Sequence, residues 1–272
     1  HLTIPAHAWT PWFAVFGSKS GFDSLEECYE ELAPYVYAVE TGLSSDPPMN
    51  WRLSELDKVM LVSNSDAHSL DNLGREANIW DLSEPSFAEI HNLLKAKDKK
   101  KFLATIEFFP AEGMYHFDGH RECAVSFSPA ETKKHHNICP KCKRPLTIGV
   151  LNRVDNLADR NEKDINSSQF VPYYSAVPLK EIIANALAVG KHSKQVNDVY
   201  QQMILKGKNE FNILLDLSED AIKNISSPTI AAGIVRVRRK EITLIPGFDG
   251  QYGKIKLYGD EEKIKAKQAV LL

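Results

Sequence analysis

The chain has 272 residues, 43% of them hydrophobic, enough for one large core or two to three small ones, which excludes a disordered polymer. Lys and Arg number 33 against 36 Asp and Glu, a formal net charge of -3, so any attraction to nucleic acid must come from local basic patches and not from the overall field. No apolar run reaches the roughly 18 residues that span a bilayer and no signal-peptide pattern opens the chain, so the sequence reads as soluble and cytoplasmic, with no membrane partner and no obligate protein partner.

Residues Leu2 to Ala6 predict a short apolar strand that delivers His7 to its C-terminal end. With no start methionine, this strand reads as already in progress, and the chain is expected to begin inside a domain. Trp9-Thr10-Pro11-Trp12-Phe13 follows as an aromatic loop stiffened by proline. Ser18 to Gly21 is a turn, and Asp23 or Ser24 caps a helix through Leu32 with Leu25, Cys28, Tyr29 and Leu32 on one face. Tyr35 to Val39 predicts the next strand, ending in Glu40-Thr41-Gly42. Ser44 to Trp51 is too rich in proline and polar residues for regular structure and reads as a loop.

Ser54 starts a short helix, and the strand Lys58 to Ser63 runs into Ser65-Asp66-Ala67-His68. Two readings of this stretch compete. Residues i and i+2 of a strand share a face, so Asp66 and His68 can grip one divalent ion through a hard oxygen and a borderline nitrogen. Alternatively Asp66 caps the next helix and His68 sits in its first turn. A strand near Trp80, a helix from Pro85 to Ala96 and a strand from Phe102 to Phe109 complete the series, with Lys97 to Lys101 as a solvated helix end. This alternation argues for a parallel α/β sheet or barrel, in which ligands gather at the C-terminal strand ends. His7, Glu40 and the Asp66/His68 pair occupy three such ends, which favours a shared site over three separate accidents.

Beyond Pro110 the composition changes. The spacing His120-x2-Cys123-x15-Cys139-x2-Cys142 sets two ligand pairs on two turns, the pattern of a closed tetrahedral structural zinc site. His120 is the favoured fourth ligand, with His116, His135, His136 and Cys28 as alternatives. A short Lys-rich segment of this kind depends on its metal to fold. A helix is expected over Arg153 to Arg160 and a polar linker over Asn161 to Gln169. Helices follow from Pro178 to Ala188, Lys194 to Lys206, Asn209 to Leu215 and Glu219 to Ile225, with one more turn from Ser227 to Ala232. Val235-Arg236-Val237-Arg238 alternates with period two and reads as a strand with Arg236 and Arg238 on one side, either a phosphate-binding edge or a solvated one. Glu241 to Ile245 and Lys254 to Tyr258 read as two more strands around a glycine-rich turn.

The run Ile4-Pro5-Ala6-His7, the strand-ending Glu40-Thr41-Gly42-Leu43-Ser44-Ser45-Asp46 and Ser63-Asn64-Ser65-Asp66-Ala67-His68 resemble the later metal-binding motifs of the PHP (polymerase and histidinol phosphatase) superfamily. Gly119-His120-Arg121-x-Cys123, Cys139-x2-Cys142, Pro145 to Leu151, Leu157-Ala158-Asp159-Arg160 and Pro246-Gly247-Phe248-Asp249-Gly250-x-Tyr252-Gly253 resemble endonuclease Q, over essentially the whole chain. The resemblance implies the C-terminal portion of a distorted (β/α)7 PHP barrel over residues 1–115, a zinc-binding element over 116–160 and a mainly helical DNA-binding domain with short strands over 161–272. It implies a metal-dependent endodeoxyribonuclease that nicks DNA 5′ of uracil, hypoxanthine or an abasic site. By the same resemblance His7, Asp66 and His68, with Glu40 at a further motif position, hold zinc, manganese or magnesium in the active site, and His120, Cys123, Cys139 and Cys142 hold structural zinc. Trp9 or Trp12 would stack on an extruded base, since a lesion must leave the helix to be read. The opening His-x-His motif of PHP enzymes is not present in this sequence. Two alternatives follow: a PHP-type phosphomonoesterase acting on a small metabolite, and a non-catalytic zinc-containing DNA-binding module.

Overall fold

The computed structural model describes residues 1–19 and 21–259, so the expected turn at Ser18 to Gly21 lies partly outside the described residues, at Ser20. Two compact units are present: His1–Tyr173 together with Pro246–Lys254, and Tyr174–Ile245 together with the described residues from Ile255 onward. No helix among the described residues is long and apolar enough to cross a membrane.

The first unit is mixed α/β. Ser24 accepts the Glu27 N–H and starts α1 (Leu25–Tyr29), whose first turn carries Glu26 and Glu27 where the helix dipole favours anions. A 3-10 turn containing Pro34 replaces the expected continuation through Leu32. Strand β1 (Ala38–Glu40) pairs in parallel with β2 (Met60–Val62), placing Glu40 opposite Val62. Thr3 bridges Val36 in parallel, and the Glu40 N–H donates to the Pro5 carbonyl, so the N-terminal segment lies beside β1. A parallel row needs cover on both faces. Val39 packs with Trp9, Phe16, Leu25 and Val150 on one side, while its neighbour Ala38 packs with Met60, Leu94 and Phe102 on the other.

Two expectations in this unit are corrected. Within Ser44 to Trp51, Pro47–Asn50 forms helix α2, because Asp46 caps it by accepting the Met49 N–H and a proline in the first turn has no N–H to leave unsatisfied. Strands β3 (Ala77–Trp80) and β4 (Phe102–Glu107), joined through α3 (Phe87–Ala96), are antiparallel with a register shift at Ile79/Trp80 and lie in a different sheet from β1 and β2, so the expected continuous parallel row does not form. Element order carries no strand direction, and residues of the same apolar character bury equally well in either sense.

Next come β5 (Asp118–His120) and β6 (Val125–Phe127), an antiparallel pair, then α4 (Pro129–Lys134) behind a Ser128/Glu131 capping box. Helix α5 (Val150–Leu157) starts three residues before the expected Arg153 and buries Val150 and Val154. Asp118, fully buried, accepts from the Gly149 N–H and the Asn152 side-chain amide, each at 2.6 Å, and so ties β5 to α5.

A short strand β7 (Tyr173–Ser175) precedes the helical unit, which comprises α6 (Leu179–Leu187), α7 (Lys194–Gly207), α8 (Glu219–Ile225) and α9 (Pro228–Arg238). Strands β8 (Thr243–Ile245) and β9 (Lys254–Lys256) pair with each other. The strand expected over Val235 to Arg238 is instead the last turn of α9, capped at its start by Ser227. Ile230, Ala231, Ile234 and Val237 are buried at helical spacing, and that longer pattern outweighs four alternating residues. Arg236 and Arg238 therefore do not form a strand edge. Arg238 donates to the carbonyls of Ile213, Leu214 and Leu217 at 2.6–2.9 Å, and Arg236 donates to Leu257 O while lying over the Tyr258 ring.

Candidate functional site

The first unit contains a cavity of about 480 Å³ where three parallel segments end, and His7, Glu40, Asn64, Asp66, His68 and Arg75 line its polar wall. The chain reaches this point in unusual backbone: His7 (φ 35°), Phe13 (φ 59°) and Asp66 (φ 45°) are all left-handed, a conformation uncommon in residues other than glycine. Gly42, at φ +72°, passes so close that a Cβ there would stand 2.9 Å from the His7 Cα. Glu40 fixes the approach from the other side, accepting the His7 N–H at 2.5 Å and the Asn64 amide at 3.0 Å. Both Glu40 oxygens thus serve as anchors for neighbouring pocket residues.

Hydrogen bonding fixes the tautomer of His68 and holds the ring of His7. His68 Nδ1 lies 2.9 Å from the Asp66 carbonyl, which can only accept, so Nδ1 carries the proton and Nε2 presents a lone pair. His7 Nδ1 lies 3.2 Å from Thr10 Oγ1, a hydroxyl able to donate or accept, so this ring too is held through Nδ1. Imidazoles held through one nitrogen with the other available are prepared for metal ligation. The Asp66 and His68 side chains are 55% and 85% exposed, so neither is committed to the core. The donor set of one carboxylate and two imidazoles suits a divalent cation. Asp66 is not a helix cap: a 3-10 turn follows only at Leu70–Asn72, and no side chain caps it.

Arg75 and Asn78 support this wall. Arg75 donates through Nε to Ser65 O at 2.8 Å, and Asn78 holds the Ser63 N–H and carbonyl as well as the Asn64 side chain. Behind them Thr41 Oγ1 donates to Glu107 at 3.0 Å, and Glu76 accepts the Phe108 N–H at 3.2 Å. Each of these carboxyls has one oxygen with no partner. Burial pushes the Glu107 carboxyl up to about 8, and burial together with the charge of Glu107 pushes Glu76 well above the carboxylate range.

Aromatic residues line the cavity as well. Trp12 is 42% exposed and meets Tyr115 edge to face at 5.7 Å, Phe13 is 96% exposed and Tyr252 is 58% exposed. Trp9 differs: it is 1% exposed, stacks on Phe16 and donates to Asn50 at 2.8 Å, so its ring is core and cannot open onto an extruded base.

A second constellation lies in the same unit. One ligand atom from each of His120, Cys123, Cys139 and Cys142 lies within 4.8 Å of the others, and the four can hold a metal ion. Of the alternatives for the fourth position, His116 is buried with Nδ1 against Ser44 O, and its burial lowers its pKa. His135 stacks on Phe127, and Cys28 packs in the core with Leu25 and Val36. Among the described residues this is the group of three or more such side chains that closes to ligand spacing; His7, Glu40, Asp66 and His68 line the cavity without doing so.

The motifs pointed to His7, Glu40, Asp66 and His68, but Thr10, Asn64, Arg75, Asn78, Tyr115 and Tyr252 carried no comparable signal. Asn64 and Tyr252 lie within the stretches that carry the resemblance, which gave neither a role of its own. Arg75 and Tyr252 come from elements whose position depends on the tertiary fold.

Fold and site together define a mixed α/β unit with a cavity at its parallel strand ends and a His/Cys metal-binding element, accompanied by a helical unit. Solved structures of endonuclease Q share this fold. The crystal structure of the lesion-specific endonuclease PfuEndoQ from Pyrococcus furiosus matches with a TM-score of 0.83 and 30% identity over 96% of this chain and 63% of that one. The complex of endonuclease Q with a 27-mer duplex carrying an abasic lesion at its active site matches with a TM-score of 0.84 and 30% identity, over 96% and 64%. The chain thus resembles endonuclease Q over nearly its whole length. The family model described as the MJ0043 C-terminal domain matches residues 178–241, within the helical unit. Among curated relatives, the uncharacterized protein MJ0043 of Methanocaldococcus jannaschii is 34% identical over 92% of this chain and 31% of its own length. The uncharacterized protein YqxK of Bacillus subtilis is 30% identical over 94% and 61%. The chain therefore spans about a third to under two thirds of these proteins.

Proposed function

We propose that this chain carries part of the catalytic apparatus of a cytoplasmic, metal-dependent DNA repair endonuclease that nicks 5′ of deaminated bases, uracil or hypoxanthine, or of abasic sites. The observation that carries the reading is the mixed lining of one cavity: metal-type donors and aromatic rings together, in a fold shared with endonuclease Q. A nucleotide offers a partner to each, a phosphodiester and a base.

In this reading residues 1–115 correspond to part of a PHP barrel. His7, Asp66 and His68 hold divalent ions, zinc, manganese or magnesium, with Glu40 fixing the His7 backbone. Such ions supply Lewis acidity toward a phosphate oxygen and activate water near neutral pH. Thr10 and the Asp66 carbonyl hold the two imidazoles through Nδ1, so Nε2 of each would be the atom offered to an ion. Arg75 holds the Asp66 backbone and places positive charge beside the phosphodiester. Trp12 and Phe13, not Trp9, receive the base once it leaves the helix. The His120/Cys123/Cys139/Cys142 element holds structural zinc, and the helical unit grips the duplex backbone.

The test is turnover by the intact protein on end-labelled duplexes containing uracil, hypoxanthine, an abasic site or no lesion, beside a small phosphate monoester. A single nick 5′ of each lesion, absent from the undamaged duplex and lost in Asp66→Asn, is the expected result. Hydrolysis of the monoester with every duplex left intact contradicts the proposal in favour of a phosphomonoesterase.

A further inference from the structure

The segment Pro246-Gly247-Phe248-Asp249-Gly250-Gln251-Tyr252-Gly253 follows the helical unit in sequence but belongs to the first unit in space. It is held there by backbone: Gly247 donates to Ala111 O, Gly250 to Met114 O and Gly253 to Glu112 O, while Phe117 donates to Gly247 O. Room is made for it at two glycines. A Cβ on Gly119 would lie 2.4 Å from the Phe248 ring, and one on Gly247 would lie 2.3 Å from Gly113 O.

Asp249 joins this loop to the His/Cys element. Its Oδ2 accepts the Arg121 N–H at 2.7 Å, between the candidate ligands His120 and Cys123, and its Oδ1 accepts the Thr147 hydroxyl at 2.7 Å. Asp249 (φ 45°) and Gly250 (φ 83°) then turn the chain. Three residues past Asp249, Tyr252 reaches the cavity wall with its ring 58% exposed and its hydroxyl without a hydrogen-bond partner among the described residues. An open ring of this kind, kept out of the core and presented to a cavity by a clamped loop, is suited to stack on a planar or sugar surface.

The geometry points to Tyr252 as a substrate-contact residue and to Asp249 as the positioning residue that makes the metal-holding element a support for the cavity. The inference rests on the nuclease reading and adds to it the role of this loop. The ring contributes binding, and Asp249 acts through it, so loss of either lowers affinity without altering the chemistry at the metal wall.

The experiment is steady-state nicking of a uracil-containing duplex by the intact protein and by Tyr252→Phe, Tyr252→Ala and Asp249→Ala, with bound metal counted in each preparation. Tyr252→Ala is expected to raise KM about tenfold or more with kcat within about threefold. Tyr252→Phe keeps the ring and should stay within about twofold of the parent. Asp249→Ala should raise KM in the same direction while its metal content matches the parent. A Tyr252→Ala protein with the parent's KM, or one that loses kcat at unchanged KM, overturns the inference while leaving the nuclease reading intact. A parent that nicks no lesion overturns the nuclease reading, and the role of Tyr252 with it.

Discussion

At the scale of single residues, the cavity works through groups whose hydrogen bonds leave one useful atom free. Thr10 fixes His7 through Nδ1, and the Asp66 carbonyl does the same for His68. Replacing Thr10 with Val removes the hydroxyl that holds the His7 ring and is expected to weaken divalent-ion binding at the cavity about 10- to 100-fold. Titration of chelator-stripped protein with manganese measures this, and unchanged affinity contradicts the role of Thr10 in positioning His7. Glu107 makes a different prediction. Its carboxyl is held up to about 8 by burial, against 4.5 for an ordinary glutamate. The folded chain keeps a proton that the unfolded chain gives up, so stability falls as pH rises from about 4.5 to about 8 and levels off above that. Glu107→Gln removes this dependence. Its stability relative to the parent should therefore improve between pH 5 and pH 8, by at most about 1.4 kcal/mol per pH unit, as read from denaturant midpoints. A difference independent of pH contradicts the buried neutral carboxyl.

At the scale of elements, what the sequence could reveal depended on how local the deciding interaction was. The helices α7 and α8 and the Asp66/His68 strand end were legible, because the periodicity within each segment determines them, whereas the direction in which two strands pair is not written in either strand. Helix α2 was not legible, since its start rests on one side-chain bond from Asp46 to the Met49 N–H. The last turn of α9 misled because Val235-Arg236-Val237-Arg238 satisfies a period of two over four residues and a helical period only when read with Ile230 and Ile234. The consequence for Arg238 is energetic. Its guanidinium satisfies three carbonyls at the end of the π-helical turn Asn212–Asp216, so Arg238→Ala should destabilise the protein by about 2–4 kcal/mol in chemical denaturation. A phosphate-binding arginine on a solvated edge would instead leave stability unchanged and lower the salt dependence of DNA binding by about one unit of slope.

At the scale of the whole molecule, the chain uses its C-terminal sequence twice, once for the helical unit and once for the loop that returns to the first unit. That return is a tertiary fact, and spacing along the chain does not contain it. The His120/Cys123/Cys139/Cys142 cluster was legible because two pairs, each with two residues between its members, are a local signature, while His7, Glu40, Asp66 and His68 come to the cavity from three separate strand ends. On the proposed function these are two distinct metal centres, one supporting structure and one performing chemistry. The metal content of the intact protein beside Asp66→Asn and Cys139→Ser separates them. Asp66→Asn is expected to lose cavity ions and nicking while keeping about one zinc per chain, and Cys139→Ser to lose that zinc. A metal content in Asp66→Asn equal to that of the parent, with nicking retained, would contradict this expectation.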